Sequence, residues 1–556
     1  MLRKILQLVN TLKYLRIKQL FFFIVRRRFA TAYVIYGGCP SQREDFELAQ
    51  PLPVTGLWKS HNTFNFLNID KALSLQNLDW CPEDVSRLWR YNLHYFDYLR
   101  EAARSDDEKL QLLESWVANN PQGSQPGWEP FTASLRIVNW VFYLQHCPRA
   151  QTLIIMQSLY TQVLWLEKND ERHILANHYF ENLKALTFAG AFFSGEDATR
   201  WLTVGTQGMK QQLKEQTLAD GGHYERSPQY HALMLENYLD LYNLSSNNAC
   251  FSSLAIIDSI KQTAVEGLRF LEGIVFPDQK LPLFNDSTFG VAPELAALNE
   301  YAEALAVDRL PQSANSLIHF ESSGLYGYRS GSDMVIIDCG DIGPSYQPGH
   351  THCDFLSYEL MFGGQRLVVD TGVYEYEPGE MRHYVRSTKA HNTIAVDGDE
   401  QSEIWGEFRV ARRAQKLWAR SNKKNNTWLF EGAFKGFYGI KGGIEHSRKV
   451  EVHHREDGAI ESLKVADTVR GSGQHHVESY IHFHPDVHIE QQGCELILLK
   501  GEQPIAKLAF DADLNFRVEN SHYCPEFGLK LDNQCVVVFL QAELPCQLGY
   551  TFSRVR

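Results

Sequence analysis

Ten cysteines are scattered from Cys39 to Cys546, and no two of them form a C-x-x-C pair. That pattern argues against a disulfide framework and for free buried thiols in a reducing compartment. A basic excess is also missing. The 54 Lys and Arg stand against 67 Asp and Glu, for a net charge of −13. This excludes a general nucleic-acid binder. It leaves open an anionic substrate held in a locally basic cleft. Acidic residues are absent from Met1–Arg28, which carries Arg3, Lys4, Lys13, Arg16, Lys18, Arg26, Arg27 and Arg28. The apolar run there, Leu20–Val25, is too short to cross a bilayer or to serve as a signal-peptide core. No clear cleavage site follows it. Leu2, Ile5, Leu6, Val9 and Leu12 recur at helical spacing. The stretch therefore reads as a basic amphipathic helix lying on an anionic membrane or a partner, or packed on the body of the protein.

The 556 residues suit two or three domains. Hydrophobic content of 44% is enough for a large core without staples. Apolar residues recur at 3.6-residue spacing in 110–117, 134–144, 153–166, 182–193, 233–244 and 254–271. After about Ile318 the runs become short and β-branched, as in Val335-Ile336-Ile337, Leu367-Val368-Val369, Thr393–Val396 and Val536–Leu540. Helices first and strands second imply segregated domains. We expect a basic N-terminal segment and linker over 1–59 and an incomplete helical barrel of the (α/α) toroid kind over 60–315. An antiparallel β-sandwich is expected over 316–556.

Several polar constellations stand out. Asn177, His178 and Glu181 share a helical face and could grip a carboxylate or relay a proton, or simply face water. Ser227 and Pro228 form a helix start that places Tyr230 in the first turn, where the helix dipole favours a phenolate. Gly349–Thr393 gathers His350, His352, Asp370 and His391 among β-forming residues. Two histidines and an aspartate converging there fit a borderline divalent ion such as zinc. The plainer alternative is hydrogen-bonded polar residues in a β-domain. Aromatic-rich stretches at 89–98 and 127–140 could line a sugar groove or wedge helices together.

Together, Tyr91–Tyr98, Asn177–Asn182, Ser227–His231, Gly349–Asp354, Val369–Gly372 and Ala390–Thr393 resemble the heparinase II/III family of polysaccharide lyases. The resemblance implies a site where toroid and sandwich meet, and cleavage of an anionic, uronate-containing polysaccharide by β-elimination. It gives Tyr230 and His350 as catalytic, with Asn177, His178 and Glu181 engaging the uronate carboxylate. Tyr91, His94, Trp128, Arg136, Tyr224, Tyr374, Arg382 and Arg386 are then the expected substrate-binding residues. Lys389 and Arg409 are further candidates for attracting the polyanion. His352, Asp370 and His391 match a structural metal site, with zinc favoured over manganese or calcium. Unlike secreted members, this chain begins with a basic helix. We therefore expect a cytoplasmic protein, or one peripheral at the inner membrane face, acting on a capsular or exopolysaccharide. Two alternatives are a glycoside hydrolase using Glu181 with Glu225 or Asp354, and a non-catalytic polysaccharide-binding or assembly protein.

Overall fold

The computed structural model describes residues 2–28, 38, 41–59, 62–252, 256–310, 315–512 and 514–555. Its helices are α1 Leu2–Leu12, α2 Ile17–Arg28, α3 Arg87–Tyr95, α4 Asp106–Asn119, α5 Pro130–His146 and α6 Leu153–Asn169. They continue as α7 Ala176–Phe192, α8 Glu196–Gln216, α9 Pro228–Asn247, α10 Ile257–Ile274, α11 Leu295–Ala304 and α12 Glu380–Arg386. A small antiparallel sheet of strands Trp58–Lys59, Thr63–Phe66 and Ile69–Ala72 precedes α3, its last two strands inside the stretch that reads as helical from sequence. Residues 311–314, next to the expected domain boundary, lie outside the described residues.

The helical half pairs α7 with α8 and α9 with α10 as antiparallel neighbours, while α5 and α7 lie side by side in parallel, Phe131 meeting His178 near their starts and Phe142 meeting Phe188 toward their ends. Helix α8 contains Gly205 and Gly208. In space they admit Thr187 and Leu183 of α7. A Cβ on Gly205 would fall 2.9 Å from the Thr187 backbone nitrogen. The glycines thus set how closely two helices approach, at a propensity cost of about 1 kcal/mol each.

The strand-rich half has an eight-stranded antiparallel layer facing a five-stranded and a four-stranded sheet. The last two abut through a bridge between Val368 and Phe483. Their inner faces share one core, in which Phe355 stacks on Phe434 and Tyr326 meets Phe430. In the strands 445–454 and 460–470, buried and part-exposed residues alternate, as expected of one wet and one dry face. The five-stranded sheet differs. Strands 333–338 and 358–362 are buried throughout. Val335, Ile337 and Leu360 point into the sandwich core, while Met334, Ile336 and Met361 join the helical core. Period-two alternation makes this sheet the partition between the halves, which explains its continuous apolar runs.

A buried ionic cluster ties the sandwich to the loops beside that partition. Asp467 takes paired hydrogen bonds from Arg448 at 2.7 and 2.8 Å and one from His446 at 2.8 Å. Arg448 also donates to the carbonyls of Leu356 and Asn392. Burial alone would raise the Asp467 carboxyl, but Arg448 and His446 outweigh it and hold the group well below its usual range. This stabilisation is present above the unfolded carboxylate value of ~3.9 and fades as pH falls through the lower folded value. Replacing Asp467 by Ala strands a buried guanidinium. We expect a loss of about 3–5 kcal/mol in chemical denaturation.

Candidate functional site

The site is assembled where the start of α9, the start of α7, the loop 285–288 and the loop 349–354 meet. Ser227 caps α9, accepting from the Tyr230 amide at 3.3 Å, with Pro228 in the first turn. Its hydroxyl also donates to the Asp286 carbonyl at 2.7 Å. Asn285 continues the stitching, since its side-chain oxygen accepts the His352 amide and its own amide donates to Asp354. Loop 285–288 thereby fastens the helical half to the β-half.

Asp286 is the centre of this arrangement. One oxygen accepts from His350 Nδ1 at 2.9 Å, the other from His352 Nε2 at 2.8 Å. Arg382 adds a two-pronged ion pair at 2.5 and 2.9 Å. Burial pushes the Asp286 carboxyl up, but Arg382 and the two histidines more than offset this and hold it well below the usual range. An ionised carboxylate only accepts hydrogen bonds. His350 Nδ1 must therefore carry the proton, which leaves Nε2 as a lone pair when the ring is neutral. That nitrogen lies 3.4 Å from Glu225 Oε2. The other Glu225 oxygen accepts the Asn177 amide at the start of α7, at 3.2 Å.

The Tyr230 ring stacks on His350, with centroids 3.8 Å apart and planes 28° from parallel. Tyr376 and Phe408 lie near the His350 ring, with centroids 6.4 and 6.5 Å from it, and the Tyr230 and Tyr376 hydroxyls are 3.5 Å apart. The helix dipole does not produce a phenolate here. Burial raises the Tyr230 hydroxyl well above its usual value, and Asp286 and Glu225 add to the rise. Tyr230 is a protonated acid at neutral pH, which corrects the expectation drawn from its place in the first turn.

Asn177 follows two strained residues, since Leu175 and Ala176 have φ of 66° and 54°. Its side-chain amide makes no hydrogen bond to any described residue. His178 is partly exposed, hydrogen-bonded to Glu171 at 3.2 Å and packed on Phe131. Burial lowers its pKa, yet Glu171 outweighs that and the net shift is upward. His178 therefore favours a cation, suited to a carboxylate partner. Glu181 does not join them. It accepts from Asn237 at 2.5 Å beside the Lys184–Asp240 ion pair inside the helical core.

Several expected substrate contacts prove to be architectural. His94 has both ring nitrogens occupied, by the Trp80 carbonyl and the Trp116 indole. Arg136 is fully buried, bonding Gln162 and the Gly127 carbonyl beneath the Trp116 ring. The Trp128 indole donates to the Asn120 carbonyl, and the ring sits in the core. The aromatic stretches thus wedge helices together. Arg382 is neutralised by Asp286, and Arg386 is spent on the carbonyls of Thr351, Gly406 and Arg409. Neither is free to attract a polyanion, whereas Lys389 and Arg409 are exposed. Tyr224 is buried against Tyr346, and Tyr91 donates to Glu129 at 2.6 Å. Tyr374 is partly exposed, but Tyr376, two residues on, is the tyrosine that reaches His350.

The expected metal ligands are close but not arranged as a three-donor set. Residues 349–354 form a loop, so no strand periodicity aligns His350 with His352. Asp370 accepts from His391 Nδ1 at 2.8 Å and from the Gly372 amide, and so orients that histidine. The His352 and His391 rings are 5.3 Å apart, and His352 Nδ1 and His391 Nε2 are buried without a partner. Among the described residues no group of three or more His, Cys, Asp or Glu side chains has metal-holding geometry.

A helical half, a β-sandwich and a tyrosine–histidine pair at their junction define a toroid-plus-sandwich protein with its site between the halves. Two family models match this chain: Heparinase II/III N-terminus over residues 43–311, and Heparinase II/III-like, C-terminal over 313–545. The chain belongs to the heparinase II/III family. A crystal structure of heparinase III superposes with a TM-score of 0.64 at 16% identity, covering 85% of this chain and 78% of that one. The helical half followed by the antiparallel sandwich is therefore the fold of heparinase III. The heparin-sulfate lyase of Pedobacter heparinus is 24% identical over 415 residues, covering 66% of this chain and 59% of that protein. FtsZ-localized protein C of Caulobacter vibrioides is 25% identical over 393 residues, covering 66% and 61%. The chain spans little more than half the length of the curated relatives it matches.

Proposed function

We propose that the chain is a polysaccharide lyase that cleaves a uronate-containing polymer by β-elimination. The observation that carries this reading is Tyr230 stacked on His350 while Asp286 fixes the imidazole. The C5 proton of a uronate is weakly acidic, and its removal spreads negative charge into the carboxylate. The Asn177 amide and the His178 cation stabilise that charge. His350 Nε2, the lone-pair nitrogen, takes the C5 proton. The electrons form the C4–C5 double bond as the C4–oxygen bond breaks, and Tyr230, kept protonated by burial, gives its proton to the leaving oxygen. Glu225 beside His350 stabilises the imidazolium that results. The anionic polymer is the partner this chemistry requires. The name of the Pedobacter relative supports the lyase reading over hydrolysis, and Glu181 is engaged by Asn237 in the helical core while Glu225 lies beside His350.

Mass spectrometry of the products tests the reaction type. Elimination gives fragments whose masses sum to that of the parent chain. Hydrolysis adds one water per cut, and that result would overturn the proposal.

We also propose that a divalent cation, with zinc favoured, is held by the unpartnered nitrogens of His352 and His391, with Asp370 orienting His391. It would brace the β-half loops as a structural ion. Elemental analysis of purified protein is expected to find about one zinc per chain, as for a single structural site. Chelation is expected to lower the melting midpoint. Metal-free protein with an unchanged midpoint would remove the ion from the account.

A further inference from the structure

Helices α1 and α2 are inverted. A helix packed on a globular body buries its apolar stripe and wets its polar one. Here the glutamines are buried, with Gln7 8% and Gln19 3% exposed. The apolar residues face outward: Ile5, Leu6, Leu8, Val9 and Leu12 on α1, and Leu20, Phe21, Phe23 and Ile24 on α2. Ile17 is 87% exposed. The pair is seated by polar and cation–ring contacts. Trp405 of the β-half donates to Thr11, and Arg413 lies 3.7 Å over the Tyr14 ring. On the helical half, Gln19 donates to the Ile174 carbonyl and Arg16 pairs with Glu215. The pair thus straddles both halves and turns an apolar face to the outside. Contiguous exposed apolar surface of this kind marks an interaction site.

We infer that α1 and α2 form a docking surface for an anionic lipid bilayer. Charge decides between covers. Residues 1–28 hold eight Lys and Arg and no acid, in a chain whose net charge is −13. A second copy of this acidic chain would meet general repulsion, whereas an anionic bilayer matches both the cations and the apolar ridge. Among the described residues no helix is long and apolar enough to cross a membrane, so the surface lies on the bilayer and does not enter its core. This inference is independent of whether the cleft is catalytic. If both hold, the membrane faces the bridge between the halves, beside the 404–410 segment that braces Arg382 and Arg386.

Flotation of the full chain with vesicles tests it. The protein is expected to float with vesicles containing phosphatidylglycerol about tenfold more strongly than with phosphatidylcholine alone, and less strongly as salt rises. Replacing Ile5→Gln, Leu8→Gln and Phe21→Gln together should cut binding by about tenfold or more. Replacing Lys4→Gln and Lys18→Gln should erase most of the preference for anionic lipid. These positions are exposed and lie outside the site. The wild-type result alone can overturn the inference: protein that stays at the bottom with anionic vesicles, or binds both lipids equally, contradicts it. Self-association without lipid that the triple variant abolishes, with no flotation, would assign the surface to a second copy instead.

Discussion

Tyr230→Phe is expected to lower kcat on a uronate polymer by about 10²–10⁴-fold, the usual contribution of a positioned general acid. KM and the melting midpoint should change little. The substitution removes one hydroxyl and leaves the ring that stacks on His350 at 3.8 Å. That hydroxyl's hydrogen bond among the described residues is the 3.5 Å contact with Tyr376, so its loss costs the fold little. Steady-state kinetics beside a thermal melt checks both parts. Unaltered kcat would remove Tyr230 from the chemistry and transfer the proton to another donor.

Asp286→Asn combines two effects. The amide can no longer satisfy four charged or imidazole donors, and Arg382, which is 2% exposed, is left without a counter-ion. Breaking such a pair is expected to cost about 3–5 kcal/mol in denaturant unfolding. The imidazole of His350 also loses the partner that fixes its proton on Nδ1, and kcat should fall by about 10–100-fold. The two effects separate by temperature. Measured well below the variant's melt, where circular dichroism shows it fully folded, kcat should remain low. Full recovery of kcat in the folded variant would make Asp286 a structural brace and nothing more.

Much of this was legible in the sequence because it is local. The Ser227-Pro228 start of α9 follows from capping chemistry, and the amphipathic period found most of the long helices. The short β-branched runs found the strands. The tyrosine, His350, Asn177 and His178 are visible through the family resemblance. What was hidden is non-local. Asp286 lies in a polar Asn285-Asp286-Ser287-Thr288 stretch with no periodicity, and its worth comes from partners 64 and 96 positions away. Its signal was a run of four polar residues bounded by Leu283-Phe284 and Phe289, which hints at buried polar groups. Arg382, Arg386 and Arg136 looked like polyanion contacts because charge is visible in sequence and counter-charge across the fold is not. His94 and Trp128 looked like groove residues for the same reason, since aromatic content does not tell a wall from a core. The inversion of α1 and α2 was also hidden: periodicity finds an apolar stripe but not the side on which the protein lies.

The central claim is that Tyr230 and His350 carry out elimination. The most direct measurement is ultraviolet absorbance in the band of 4,5-unsaturated uronates, followed while the full chain acts on a panel of uronate polysaccharides. A rise with wild type that disappears with Tyr230→Phe is the predicted result. New reducing ends without any rise in absorbance would contradict it and return the cleft to hydrolysis.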